Sequence, residues 1–125
     1  MKQNVSLKFL FPVPKVFHPF PIHFLRIAAT DSSNKSISRI LNSLQENKYS
    51  TIDDVLNTTM NELTTSRNFG KKGLTILFDL LENISRKPEL ILETNILEQP
   101  LRDKIERIKK LPLVKHQLLE LGIEI

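Results

Sequence analysis

Two short clusters about thirty residues apart carry the residue types that can grip a phosphate backbone: Ser38-Arg39-Ile40-Leu41-Asn42-Ser43-Leu44 and Arg67-Asn68-Phe69-Gly70-Lys71-Lys72-Gly73-Leu74. The first sets an arginine and an asparagine one helical turn apart. Ile37, Ile40, Leu41 and Leu44 form an apolar stripe there, so both polar heads project away from the core. The second cluster is a glycine turn that opens a helix. Without a Cβ at Gly70, backbone N–H groups, the positive end of the helix and two lysines can approach one phosphate. Two plainer readings stay open: a solvated helical face for Arg39 and Asn42, and a helix start kept only for packing at residues 68–73.

Charge supports a polyanionic partner more by its placement than by its size. The net charge is +4. Residues 1–30 hold Lys2, Lys8, Lys15 and Arg26 with no acid, and residues 102–116 hold six bases against two acids. Such patches favour nucleic acid. The outer face of Lys104, Arg107, Lys109 and Lys110 serves solubility equally well.

Other chemistries find little support. There are no cysteines, which excludes disulfides and thiolate zinc sites, and His18, His23 and His116 lack metal-ligand spacing. No Ser/His/Asp set, nucleotide-binding glycine loop or paired carboxylate stands out, and Asp53 and Asp54 suit the first turn of a helix. No enzyme activity, cofactor, metal or small-molecule substrate is expected. The apolar N-terminal run is interrupted by Pro12, Pro14, Pro19 and Pro21, so neither a signal peptide nor a membrane span is expected, and a cytoplasmic location is.

The elements that must position the clusters read as mainly α. A chain of 125 residues, 40% hydrophobic with only three glycines, suits one compact helical domain with extensions. Residues 1–30 read as an extended Phe/Pro-rich arm, with a short strand through Val5, Leu7, Phe9 and Phe11, and with Phe17, Phe20 and Phe24 as core anchors. Ser36 is the expected N-cap of a helix running to about Asn47. Thr51 with Asp54 and Thr59 with Glu62 have capping-box spacing, placing short helices near 52–57 and 60–65. A longer helix opens at Lys71 with Leu74, Leu77, Phe78 and Leu81 on its core face. Pro88, Pro100 and Pro112 each open a further helix, the last ending at Gly122, and Ile105, Ile108 and Leu111 are expected to point inward. The divisions are thus an arm at 1–30, a helical DNA-binding unit at 31–87 and a helical extension at 88–125.

Residues 36–84 resemble the C-terminal domain of the bacterial RNA polymerase alpha subunit. Members carry an arginine and an asparagine three apart, a threonine and a hydrophobic residue nine and ten positions on, and Asn-Leu-Gly-Lys-Lys-Ser-Leu at the hairpin. Here Arg39, Asn42, Thr51-Ile52 and Asn68-Phe69-Gly70-Lys71-Lys72-Gly73-Leu74 fall in register without an insertion. The resemblance implies a helix-hairpin-helix-like fold that binds the minor groove of A/T-rich double-stranded DNA, with RNA polymerase or a transcription regulator as a further partner. It places the DNA contacts on Arg39, Asn42, Ser43, Gly70, Lys72 and Gly73, with phosphate contacts added at Asn68 and Lys71. Arginine suits a narrow, strongly negative minor groove, and asparagine can both donate and accept there.

Three departures from the family pattern stand out, one of which removes a possible phosphate donor and two of which alter its protein-facing side. Gly73 replaces a hydroxyl residue, Ile76 replaces an acid, and Ser33 and Lys35 stand where an acidic patch can face the sigma factor. The flanks do not resemble an alpha subunit. A second expectation therefore stands beside DNA binding: a protein-interaction module that uses the same scaffold, with the Phe/Pro arm as its adhesive.

Overall fold

The computed structural model describes residues 5–29, 34–65 and 69–124, with side chains from residue 36 in the second stretch. Its architecture is mainly α, and no strand occurs among the described residues. Helix α1, Asn34–Glu46, buries Ile37, Ile40, Leu41 and Leu44, the stripe that its sequence sets at 3.6-residue spacing. It begins two residues before Ser36, so Ser36 lies inside the helix and is not its N-cap. The apolar stripe fixes only where burial starts, and the polar residues ahead of it extend the helix. The helix ends where Lys48 turns left-handed at a φ of 73°, while the Tyr49 N–H donates to the Leu44 carbonyl.

Two short helices follow, α2 (Ile52–Leu56) and α3 (Met60–Thr64). Both are set by their caps. The Asp54 N–H donates to Thr51 Oγ1 at 3.2 Å and the Thr51 N–H to Asp54 Oδ2 at 3.1 Å, a complete capping box. At α3 the Glu62 N–H donates to Thr59 Oγ1 at 3.2 Å. Helix α4, Lys71–Arg86, then runs through the body and buries Leu74, Leu77, Leu80, Leu81 and Ile84. Phe78 is partly buried and lies against Phe11, with ring centroids 4.9 Å apart.

The N-terminal segment departs from the expected strand. Leu7–Phe9, Lys15–Phe17 and Ile22–Ala28 are turns of 3₁₀ helix. Four prolines remove the donors a strand ladder needs, and 3₁₀ turns satisfy the remaining N–H groups locally. The segment is pinned to the short helices by single bonds. The Leu7 N–H donates to the Thr58 carbonyl, Ile22 to Ser50, Ile52 to Phe20 and Asp53 to His18.

Phe17, Phe20 and Phe24 are the core anchors that their residue type promised. All three are fully buried, with Phe20 and Phe24 4.7 Å apart and Phe17 and Phe20 meeting edge-on at 5.5 Å. The Ile22–Ala28 segment is apolar almost all round because it packs against α1, α4, residues 88–96 and α5. Arg26 Nη2 donates to Ser38 Oγ of α1 at 2.6 Å, and Asn83 Nδ2 donates to the Ala28 carbonyl at 3.1 Å.

The C-terminal third starts its helices at the three prolines. A kinked 3₁₀ segment, Pro88–Ile96, leads to α5 (Gln99–Lys109) and α6 (Pro112–Glu120), which closes at Gly122 with a φ of 81°. Two expectations fail here. Leu111 is 53% exposed because it is the extended N-cap of α6 and swings outward, whereas Ile105 is buried and Ile108 partly so. Lys109 does not join the outer basic face: it lies one turn after Ile105 on the buried side and is only 5% exposed. Its Nζ donates to Glu106 Oε2 at 2.9 Å and to the Ile91 carbonyl at 3.5 Å, while Thr94 Oγ1 donates to the same Glu106 oxygen at 2.6 Å. The Thr94 bond and Lys109 hold the Glu106 carboxyl below its ordinary range, against some loss of hydration. One apolar cluster runs from Leu7 through the central helices to Ile123, so all three stretches of sequence share a core.

Candidate nucleic-acid interface

Helices α1 and α4 meet at the start of α4, and the junction leaves a crevice of about 160 Å³ lined by Ser36, Arg39, Ile40, Gly70, Lys72, Gly73 and Ile76. Four of the sequence-selected residues, Arg39, Gly70, Lys72 and Gly73, therefore converge on one place. Arg39 and Lys72 are exposed and, among the described residues, neither has an ion-pair partner. The first turn of α4 contains no acid. Its first intrahelical bond runs from the Leu74 N–H to the Gly70 carbonyl, so the Lys71, Lys72 and Gly73 amides are left without helical acceptors. The Arg39 side chain of α1 thus shares the crevice with Lys72 and the positive end of α4.

The two glycines differ. Gly70 is the N-cap in an extended conformation, φ −108° and ψ −167°, and a Cβ built there would meet nothing within 4 Å among the described residues. Its backbone conformation does not require glycine at this position, and no described residue fills the space a side chain would take. Gly73 is buried in α4. A Cβ there would stand 3.4 Å from the Phe69 ring and 3.6 Å from Ile40 Cγ1, ordinary contact distances that a small side chain would satisfy.

The other selected residues lie elsewhere. Asn42 is exposed on α1 but outside the crevice lining. Ser43 is only 4% exposed, which leaves its side chain little surface to offer a ligand. Lys71 lines a different cleft, of about 490 Å³, with Met60, Asn61, Thr64, Gly70 and Leu74. Asn68 and Ser33 lie outside the described residues, as does the side chain of Lys35. Ser36 and Ile40 in the crevice were not among the selected residues. Their signal was available, since Ser36 precedes Arg39 by three positions and Ile40 by four, one turn of the same face.

His18 Nδ1 lies 3.4 Å from Asp53 Oδ1 and its Nε2 3.2 Å from the Val13 carbonyl, a bridge between the N-terminal segment and α2. His23 is half-buried; burial and then Arg26 lower its pKa, with Gln45 and Glu98 acting the other way. Among the described residues no group of His, Cys, Asp and Glu could hold a metal, and no helix is long and apolar enough to cross a membrane.

A hairpin of short helices that brings an arginine-bearing helix against a Gly-Lys-Lys helix start defines a helix-hairpin-helix-like scaffold. Residues 37–83 match the family model for the C-terminal domain of the bacterial RNA polymerase alpha subunit. The matched segment resembles that domain and contains all but one of the crevice residues, Ser36 lying just ahead of it. It spans about two fifths of the sequence. No curated protein and no solved structure matches this protein.

Proposed function

We propose that this protein is a DNA-binding protein of transcription, a factor or polymerase accessory, that grips the minor groove of A/T-rich duplex in the cytoplasm without catalysing a reaction. The observation that carries the reading is the convergence of Arg39 and Lys72 with the open amides of α4 on one exposed crevice, inside the segment that resembles a polymerase DNA-binding domain. Arg39 enters the groove, where A-tracts deepen the negative potential. Lys72 and the backbone at Gly70 hold phosphate and fix register. Asn42 adds a contact from the exposed side of α1, and Lys71, with Asn68, adds phosphate contacts along the hairpin. Residues 31–87 form the binding unit in this reading, with 1–30 and 88–125 as its supports. A mobility-shift titration over a salt series tests it: the expected result is binding that favours A/T-rich duplex and falls steeply with salt. Absence of duplex binding at low salt would end the proposal.

A second reading rests on a different surface. Phe9 is 74% and Leu10 40% exposed beside a cleft of about 400 Å³ formed by Leu10, Phe11, Pro12, Glu82, Ser85 and Arg86. This cleft lies toward the far end of α4, roughly 17 Å along the helix axis from the crevice, centre to centre, at 1.5 Å per residue. A protein partner, RNA polymerase or a regulator, can dock there while the crevice is occupied. A pull-down from nuclease-treated lysate checks this: a partner retained by the unaltered protein and lost with Phe9→Ala supports the reading, and an empty pull-down removes it.

A further inference from the structure

Ser36 faces the crevice with an unused donor. It is half-buried on α1, one turn ahead of Arg39 and Ile40, and among the described residues its hydroxyl has no hydrogen-bond partner. Across the crevice Gly73 offers no side chain, and Ile40 and Ile76 are the crevice's apolar lining residues. A volume of about 160 Å³ is that of roughly five waters at 30 Å³ each, room for one phosphodiester group. An anionic oxygen drawn in by Arg39 and Lys72 would therefore meet one neutral side-chain donor, the Ser36 hydroxyl.

We infer that Ser36 is a phosphate-contacting residue of the crevice: its hydroxyl donates to a non-bridging oxygen of the same DNA phosphodiester that Lys72 and the α4 amides hold, supplying from α1 the donor that Gly73 cannot supply from α4. The inference rests on the DNA reading and assigns a role within it. A neutral donor releases no counterion, so its contribution has a different salt signature from that of the cations around it. Alanine is an excellent helix former, so Ser36→Ala leaves α1 intact.

The test uses the full-length protein and an A/T-rich duplex, with affinity measured across a salt series for the unaltered protein, Ser36→Ala, Arg39→Ala and the pair Ser36→Ala with Gly73→Ser. Ser36→Ala is expected to weaken binding about tenfold with the salt slope unchanged, whereas Arg39→Ala lowers the slope by about one. Gly73→Ser, whose Cβ meets only ordinary contacts, is expected to return the Ser36→Ala protein to within about threefold of the unaltered affinity, because one hydroxyl replaces another. If Ser36→Ala binds normally while Arg39→Ala does not, the assignment of Ser36 falls and the DNA reading stands. A loss that Gly73→Ser does not recover makes Ser36 structural and also overturns the assignment. If the unaltered protein binds no duplex, both fall together.

Discussion

The crevice between α1 and α4 and the outer side of α5 are both basic, yet the fold treats them in opposite ways. At the crevice, two cations from sequence-distant helices point at one concave space with no acid in the α4 first turn beside them. On α5 the expected row is broken: Lys109 is turned inward and tied to Glu106, and Lys104, Arg107 and Lys110 remain on the outer side beside Asp103 on a convex helix surface. Concavity separates them, while the number of bases does not. A field focused in a cleft holds an anion far better than the same charges spread over a convex face.

Mutations can break that contrast, and the largest effect is expected at Arg39. Arg39→Ala should cost about 1 to 3 kcal/mol of affinity for A/T-rich duplex with the melting temperature unmoved, a pair of measurements that separates binding from folding. Lys109→Ala should do the reverse. It removes a buried stem and the donor to the Ile91 carbonyl, and Glu106 is open enough to rehydrate. A loss of about 1 to 2 kcal/mol in denaturant unfolding, with affinity preserved in the folded protein, is expected. An affinity loss at Lys109 would mean that α5 belongs to the interface after all.

Smaller effects sharpen the same division. Gly70→Ala meets no atom in the fold, so stability should change by less than about 1 kcal/mol, while a methyl group at the mouth of the crevice should reduce duplex affinity several-fold. Acidification probes the joint between the two regions. His23 faces Arg26 and also meets Gln45 of α1 and Glu98, the N-cap of α5. Its pKa is lowered in the fold, so its contribution is fully present above the ordinary histidine value near 6.5 and is lost as pH falls from there through the lowered value. Unfolding midpoints measured from about pH 7.5 down to about pH 5 should show this slope, and His23→Gln should flatten it. Lys104→Ala with Arg107→Ala should have the least effect, changing affinity by less than about twofold at moderate salt if the convex face serves only solubility.

What was legible in the sequence was local. The α1 stripe, the Thr51 and Thr59 caps, the opening of α4 at Lys71 and the proline helix starts depend on residues within one or two turns, and each formed as its spacing required. The departures are non-local. Lys109 is buried because the carbonyl of Ile91, eighteen positions earlier, comes within its reach, and no pattern inside α5 records that. Leu111 looked like one more inward position until the next helix claimed it as a cap. The N-terminal alternation suggested a strand because periodicity does not register that the partners available are α2 and α3. At the crevice, Arg39 and Lys72 were chosen through a family register, whereas Ser36 was read as a cap because its face on α1 matters only once α4 lies opposite.

The burial of Phe17, Phe20 and Phe24 among the central helices also bears on how this protein can be handled. The segment that resembles a polymerase domain looks like a transplantable cassette of fewer than about sixty residues, but part of its interior comes from outside its own boundaries. A gene fragment encoding residues 31–87 would give a polypeptide with part of its aliphatic interior uncovered, prone to aggregate in expression and unsuited to fusion as a ready-made module. Evolution faced the same bond: a recombination event that moved the hairpin without its N-terminal phenylalanines would move a motif and leave its stability behind.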